Sequence, residues 1–388
     1  MSKTKISSKL KYELWLKAAG RCEFKGCNKL LDISSASKDF CNISNIAHIV
    51  ADSPKGPRGN ESSYKLRNEI DNLMLLYPEC HKYIDNEGKD KYDETTLRAM
   101  KKHHEDRMRF LTGLPEDIQA HIVTYGTSIG STTTDFTFPQ LTTALLPFYY
   151  PADEYTIDLG GKWFHGPDWE KYWDEELSQL EYACKDRVLD KISKWEYKRI
   201  ALFAFAPMPL LVKLGTLLNN KLDVEVYQKQ RRGGWKWQDY DKHVDFVVNK
   251  ALSNGKNPVL VMSLSFPILD RILEIRPDSE IWHLTIKEPN PDFLTSKAML
   301  YDFGRIVEKL LDEIAKVHPT DSLDVYMSVP VACAVEFGRV WMQKANSSLR
   351  IFEYDKRYSN KDKLAITINN LNFRLICSDN TSCKANYL

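Results

Sequence analysis

The feature that most limits what this chain can fold into is a succession of apolar runs of strand length, "RIALFAFA", "NPVLVMSLSF", "EIWHLTI", "SLDVYMSVP" and "LRIFEYD", separated by helix-length segments between residues 199 and 355. A strand that is apolar throughout, instead of at alternate positions, is buried on both faces, the condition of a parallel strand covered by helices. The region is therefore predicted to be an α/β domain with mainly parallel strands. It also repeats. "LFAFAPMPLLVKLGTLLNNKLDVEVYQ" carries Pro207 and Gly215, and "DVYMSVPVACAVEFGRVWMQKANSSLRIFEYD" carries Pro330 and Gly338, each 123 residues further on. Both read as strand, Pro, helix with one small residue where it approaches the sheet, strand, so two similar half-domains are expected.

The first 114 residues follow another pattern. "SSKLKYELWLKAA" reads as a helix ended by Gly20, "CNISNIAHIVADSP" as a short strand entering a loop, "DNLMLLY" as a second strand, and "DETTLRAMKKHHEDRMRFL" as a helix with an acidic first turn. The composition then shifts through "TGLPED" and the Ser/Thr/Gly-rich "TYGTSIGSTTTDF". The expected organisation is an α+β domain over 1–114, a linker over 115–145 and the α/β domain over 146–388, and 388 residues are enough for two cores. Lys plus Arg (54) nearly balance Asp plus Glu (53), so a nucleic-acid surface must be local. No run approaches the roughly 20 apolar residues of a membrane span, and "MSKTKISSKLKYELW" lacks a signal-peptide core, so a soluble cytoplasmic protein is expected. Eight cysteines in that compartment argue against a disulfide framework.

Four of those cysteines lie in the first 80 residues. Cys22 and Cys27 flank a turn and Cys80 follows two strands, which is knuckle spacing for a metal. Cys41 is the candidate fourth ligand, because Tyr77 occupies the position three before Cys80. His48 ends the first strand, Asn72 opens the second, and His81 starts a helix. As a set, "CEFKGC", "NIAHIVADSPKGPRG" and "NLMLLYPECH" resemble the HNH (ββα-metal) nuclease family over residues 20–85. The resemblance implies that His48 is the general base, that Asn72 orients it, and that His81 binds a catalytic Mg2+ or Mn2+, with Zn2+ at the cysteines for folding. A neutral imidazole suits activation of water near neutral pH, and a hard ion with few protein ligands keeps positions open for phosphate. The chain departs from the family at Ala47, where many members carry an acidic or His ligand; Asp52, Asp71 and Asp85 are alternatives. His103 and His104 are placed on the exposed face of the charged helix. Lys101, Lys102, Arg107 and Arg109 could meet phosphates there or simply be solvated.

In the α/β domain, "YQKQRRGGWKWQDYD" joins Lys229, Arg231 and Arg232 to Trp235 and Trp237, cations for phosphates beside indoles for bases. With the repeated strand-Pro-helix-strand units this resembles the SAVED domain, a fusion of two CARF-like halves that binds cyclic oligonucleotides, over about residues 146–388. Tyr354 and Lys356, at the matching end of the second half, join the ligand candidates. An HNH nuclease followed by SAVED resembles the effector nucleases of bacterial cyclic-oligonucleotide anti-phage (CBASS) systems. That implies an endonuclease activated by a cyclic di- or trinucleotide, which assembles into a homo-oligomer, dimer to tetramer, and cuts double-stranded DNA with little sequence choice. The alternatives are a restriction-type HNH endonuclease whose C-terminal part reads DNA directly, and a non-catalytic zinc-knuckle binding protein.

Overall fold

A computed structural model of the chain describes residues 5–34, 37–88, 90–127, 134–161, 169–232, 234–238, 241–250, 252, 255, 257–354 and 362–369. The chain divides into two units, Met1–Glu116 and Asp117–Leu388. Among the described residues no helix is long and apolar enough to cross a membrane.

Unit 1 begins with α1 (Ser8–Ala18), capped by the Ser7 hydroxyl, which accepts from the Leu10 N–H at 3.3 Å. Then come the cysteine turn, β1 (Asn45–His48), the single turn α2 (Ser63–Leu66), β2 (Leu73–Leu76), α3 (Pro78–Asp85) and α4 (Glu94–Thr112). β1 and β2 pair antiparallel with His48 opposite Leu73. Pro78 starts α3 where a missing N–H costs nothing, and Asp93 caps α4 by accepting from the Thr96 N–H at 2.8 Å. The core gathers Leu14 and Ala18 of α1, Ala47 of β1, all four residues of β2, Ile84 and Leu97.

The exposed-face reading of α4 is corrected at two positions. Its inward stripe is Leu97, Lys101, His104 and Met108, at helical spacing. The Lys101 stem lies in the interior while its ammonium bonds Glu105 at 2.5 Å and faces Glu23 at 3.7 Å, so it does not reach for phosphate. His104 Nε2 lies 3.0 Å from the Ala18 carbonyl oxygen and donates to it. Lys102 and Arg109 stay exposed beside Asp106.

Unit 2 contains β3 (Gln119–Gly126), α5 (Phe138–Leu145), β4 (Tyr150–Pro151), β5 (Ile157–Asp158), α6 (Trp169–Cys184), β6 (Ile200–Phe205), α7 (Met208–Leu218) and β7 (Val224–Tyr227). It continues with β8 (Phe246–Asn249), β9 (Asn257–Ser263), α8 (Leu269–Ile275), β10 (Ser279–Ile286), α9 (Lys297–Val317), β11 (Leu323–Ser328), α10 (Val331–Val340), β12 (Leu349–Tyr354) and β13 (Asp362–Ile368). One sheet runs β4-β3-β6-β7, with β5 also on β3, and all its pairs are parallel. The other runs β13-β12-β11-β9-β10-β8, parallel in the middle with antiparallel edges at β13 and β8.

Residues 115–145 are therefore not a linker. β3 lies within them, buried between β6 and the short strands β4 and β5, in register from His121 opposite Ile200 to Gly126 opposite Phe205. The Ser/Thr/Gly run masks the apolar "AHIVTY" just before it.

The repeat is real as structure: β6-α7-β7 and β11-α10-β12 are the matching units. The expected role of its glycines changes, however, since they meet each other and not a sheet. A Cβ on Gly215 would strike the Val335 carbonyl oxygen, and one on Gly338 would strike that of Val212. Val335 stands 123 residues after Val212, the same interval as between the glycines, so α7 and α10 cross in a reciprocal contact.

Two outcomes follow. Gly215→Ala or Gly338→Ala should lower the stability of unit 2 by about 1–3 kcal/mol in urea unfolding, because the crossing has no room for a methyl. Burial holds the His104 imidazole below its usual 6.5 despite the Ala18 bond. The folded state thus favours neutral His104, and this stability is present above that value and lost as pH falls through the lower folded one. Hydrogen exchange of α1 and α4, corrected for intrinsic rates, should accelerate between about pH 7 and pH 5 more in wild type than in His104→Gln.

Candidate active site and ligand cleft

His48 closes β1, and its Nε2 lies 3.0 Å from the Arg67 carbonyl oxygen. A carbonyl only accepts, so Nε2 carries the proton and Nδ1 of the neutral ring keeps its lone pair, the tautomer a base requires. Asn72 is fully buried and grips Val50 from both sides. Its Oδ1 accepts the Val50 N–H at 2.9 Å and its Nδ2 donates to the Val50 oxygen at 2.8 Å, fixing the chain just beyond His48.

On α3, His81 Nε2 lies 3.2 Å from Asp85 Oδ2, one turn on. Neighbouring ligands of a six-coordinate ion with bonds of 2.0–2.1 Å stand about 3 Å apart, so this pair fits two corners of one Mg2+ or Mn2+ sphere. Of the three aspartates considered for the ligand missing at Ala47, Asp85 is the one bonded to His81. Ala47 itself is 1% exposed in the core. Burial would raise the Asp85 carboxyl, but hydrogen bonds from His81 and Arg58 outweigh it and hold it below the usual range.

Arg58 escaped sequence reasoning, and its side chain joins the two halves of the site. Nη2 bonds Asp85 Oδ1 at 2.6 Å and approaches the His48 oxygen at 3.4 Å, Nε bonds the Ile49 oxygen at 2.7 Å, and Nη1 bonds the Ile84 oxygen at 2.9 Å. The end of β1 and the end of α3 are thereby tied through one guanidinium, itself 8% exposed. An arginine in an exposed-looking "KGPRGN" loop carries no periodic signal to reveal this.

The Sγ atoms of Cys22, Cys27 and Cys80 lie within 4.8 Å of one another. Cys41, the expected fourth ligand, stays outside the group. Its amide bonds the Asp32 oxygen at 2.8 Å beside the Ile33–Phe40 bridge, which holds that hairpin to itself. Burial first, and then the crowding of Cys22 and Cys27, pushes the Cys80 thiol up. A divalent cation would reverse that preference by stabilising thiolates, so three of the four expected residues suit zinc.

Unit 2 holds a cleft of about 990 Å³ where the carboxyl ends of strands from both sheets converge. Phe205 ends β6, Lys229 and Arg231 follow β7, Phe266 follows β9, Ser328 ends β11 and Tyr354 ends β12. Ligands of parallel α/β sheets bind at such carboxyl ends. Arg271 of α8 pairs with Asp362 and places its guanidinium 4.6 Å from the Tyr354 ring centre. Tyr326 and Phe352 stack at 4.6 Å on the cleft floor.

Of the residues expected here, Lys229, Arg231 and Tyr354 line the cleft, whereas Arg232 is exposed outside that lining. Lys356 lies outside the described residues. Trp235 and Trp237 are corrected to core residues, 1% and 3% exposed. After the Gln230–Gly234 bridge, where Gly234 takes φ +77°, the chain folds back and buries both indoles. Trp235 packs edge-on against Phe203 at 5.3 Å and supports Lys229, whose Nζ lies 5.5 Å from its ring centre. Sequence reading does not single out Phe266, which ends the apolar run "NPVLVMSLSF", or Arg271, five residues beyond it, although a position at the end of such a run is a usable signal.

Residues 180–365 match the family model of the SMODS-associated and fused to various effectors sensor domain, SAVED. Within unit 2, residues 180–365 thus have the sequence pattern of a SAVED sensor domain. Similar solved structures include the Acinetobacter baumannii Cap4 SAVED/CARF-domain containing receptor with the cyclic trinucleotide 2'3'3'-cAAA, at TM-score 0.42 and 10% identity, over 76% of this chain and 62% of that one. The Moraxella osloensis Cap4 receptor gives TM-score 0.37 and 11% identity, over 80% of this chain and 66% of that one. The matched part is thus less than two-thirds of each receptor's length. No curated protein matches the chain.

Arg58→Ala should destabilise unit 1 by about 3 kcal/mol, since it strips a half-buried carboxylate and three carbonyls of their donor. Trp235→Ala should cost unit 2 about 3–5 kcal/mol in urea unfolding, the loss expected of an interior indole.

Proposed function

We propose that the chain is a metal-dependent DNA endonuclease switched on by a cyclic di- or trinucleotide, acting in anti-phage defence of the CBASS type. The observation that carries the catalytic half is the single linkage His48–Arg58–Asp85–His81, which joins a base of the right tautomer to a two-ligand corner for a divalent ion. The sensing half is supported by the SAVED match and the cleft at the strand ends.

In this reading His48 Nδ1 takes a proton from the water that attacks the phosphodiester. Asn72 and Arg67 hold the imidazole and the strand end so that Nδ1 faces that water. His81 and Asp85 hold Mg2+ or Mn2+, which when bound neutralises charge on the phosphate and the departing oxygen. Arg58 keeps Asp85 ionised and in place. In the cleft, Lys229, Arg231 and Arg271 meet the ligand phosphates, and Phe266 and Tyr354 offer faces to its bases. Moving a resting population from 1:99 to 99:1 requires the ligand to favour the active arrangement by about 5.5 kcal/mol, which homo-oligomer formation around the bound ligand would supply.

Plasmid cleavage with Mg2+ or Mn2+, with and without a panel of cyclic di- and trinucleotides, tests the proposal. Linearised and degraded double-stranded DNA should appear only with one ligand, and His48→Ala should abolish cutting while ligand binding and assembly persist. Arg271→Ala should raise the ligand concentration for half-activation by about tenfold to a hundredfold. Cutting without ligand would overturn the gating, and ligand binding without cutting at any metal concentration would overturn the nuclease.

A further inference from the structure

The cysteine cluster departs from the closed four-ligand site expected from its spacing. With Zn–S bonds of about 2.3 Å, the sulfurs of a tetrahedral site stand about 3.8 Å apart. Three sulfurs within 4.8 Å of one another therefore form one face of such a site with little adjustment. The fourth corner has no counterpart: among the described residues no other Cys, His, Asp or Glu joins the group. Tyr77 stands where a Cys-x-x-Cys pair would place the missing thiolate. Its backbone N–H donates to Cys22 Sγ at 3.2 Å, and its ring lies under Lys29 Nζ, 4.1 Å from the ring centre.

The three thiols also differ in access. Cys22 is fully buried, whereas Cys27 and Cys80 are half-buried. Cys80 lines a cleft of about 400 Å³ together with Phe24, Glu79, Lys82, Tyr83 and Glu87. A small donor molecule thus has a route through this cleft to Cys80.

We infer that Cys22, Cys27 and Cys80 bind one zinc ion through three thiolates, with the fourth position open to water or a small soft donor such as a thiol or imidazole. Closed sites hold zinc for folding alone, and an open position makes the ion exchangeable and able to take an outside ligand. The ion would join the cysteine turn to the first turn of α3, immediately before His81. The inference stands independently of the nuclease and sensor readings, because it concerns metal coordination only.

Full-length protein loaded with Co2+ in place of zinc tests it by absorption spectroscopy. One equivalent of Co2+ should bind with thiolate-to-metal charge-transfer absorption, apart from any Co2+ taken up without sulfur at His81 and Asp85, and adding 2-mercaptoethanol or imidazole should shift the d–d bands of that sulfur-bound ion in the wild type. Cys41→Ser should keep both the stoichiometry and the response. Tyr77→Cys should close the site, abolish the response and slow release to a chelator. Removing a group that only orients a ligand costs about 10–100-fold in affinity, so an added thiolate should slow release by about tenfold or more. Loss of metal or an altered cobalt spectrum in Cys41→Ser would restore the four-cysteine site and overturn the inference. So would a wild-type spectrum indifferent to added donors, or the absence of any bound metal. If Tyr77→Cys does not fold, the wild-type titration and Cys41→Ser still decide the question.

Discussion

Everything in unit 2 depends on the close crossing of α7 and α10. Each helix offers a glycine where the other offers a carbonyl oxygen, Gly215 against Val335 and Gly338 against Val212. Because the contact is reciprocal, the two halves meet through equivalent positions, and the carboxyl ends of parallel strands from both sheets line one cleft. Gln228 adds a polar tie across the halves, its Oε1 accepting the Ala332 N–H at 3.0 Å at the start of α10. The cleft is thus a product of helix packing as much as of the residues that line it.

Unit 1 is organised on a different principle. Its strands have four residues each and its core is small, so side-chain polar bridges complete it. Asn72 clips the exit of β1, Arg58 ties that exit to α3, and Glu23 anchors the cysteine turn, its own N–H bonded to the Leu75 oxygen at 3.0 Å. Burial raises the Glu23 carboxyl to about 7 even with Lys101 beside it, because little water reaches this junction. Such bridges hold His48, His81 and Asp85 in a geometry that short strands alone could not maintain.

The legibility of the two regions differs for physical reasons. Continuous apolar runs announce parallel strands directly, so β6, β9, β10, β11 and β12 could be read from composition, and helical spacing with an acidic first turn marked α4. β3 was hidden because a loop-like run beside it dominates any composition window. Trp235 and Trp237 were misassigned because a cation-aromatic sequence reads alike whether the indoles face a ligand or the core. What separates the two cases is the reversal at Gly234, a backbone event with no side chain to signal it.

By itself the sequence determined the parallel α/β character of the second unit, its internal repeat, the ββα order of His48, Asn72 and His81, and the gathering of cysteines near the N-terminus. These are properties of local periodicity and spacing, which every residue carries with it. Tertiary structure alone decided that the repeat glycines face each other, that Arg58 links Asp85 to the end of β1, and that Cys41 stays apart from the other three cysteines. Each of these joins segments far apart in the chain, and such contacts are chosen by packing and hydrogen-bond geometry that no single stretch of sequence contains.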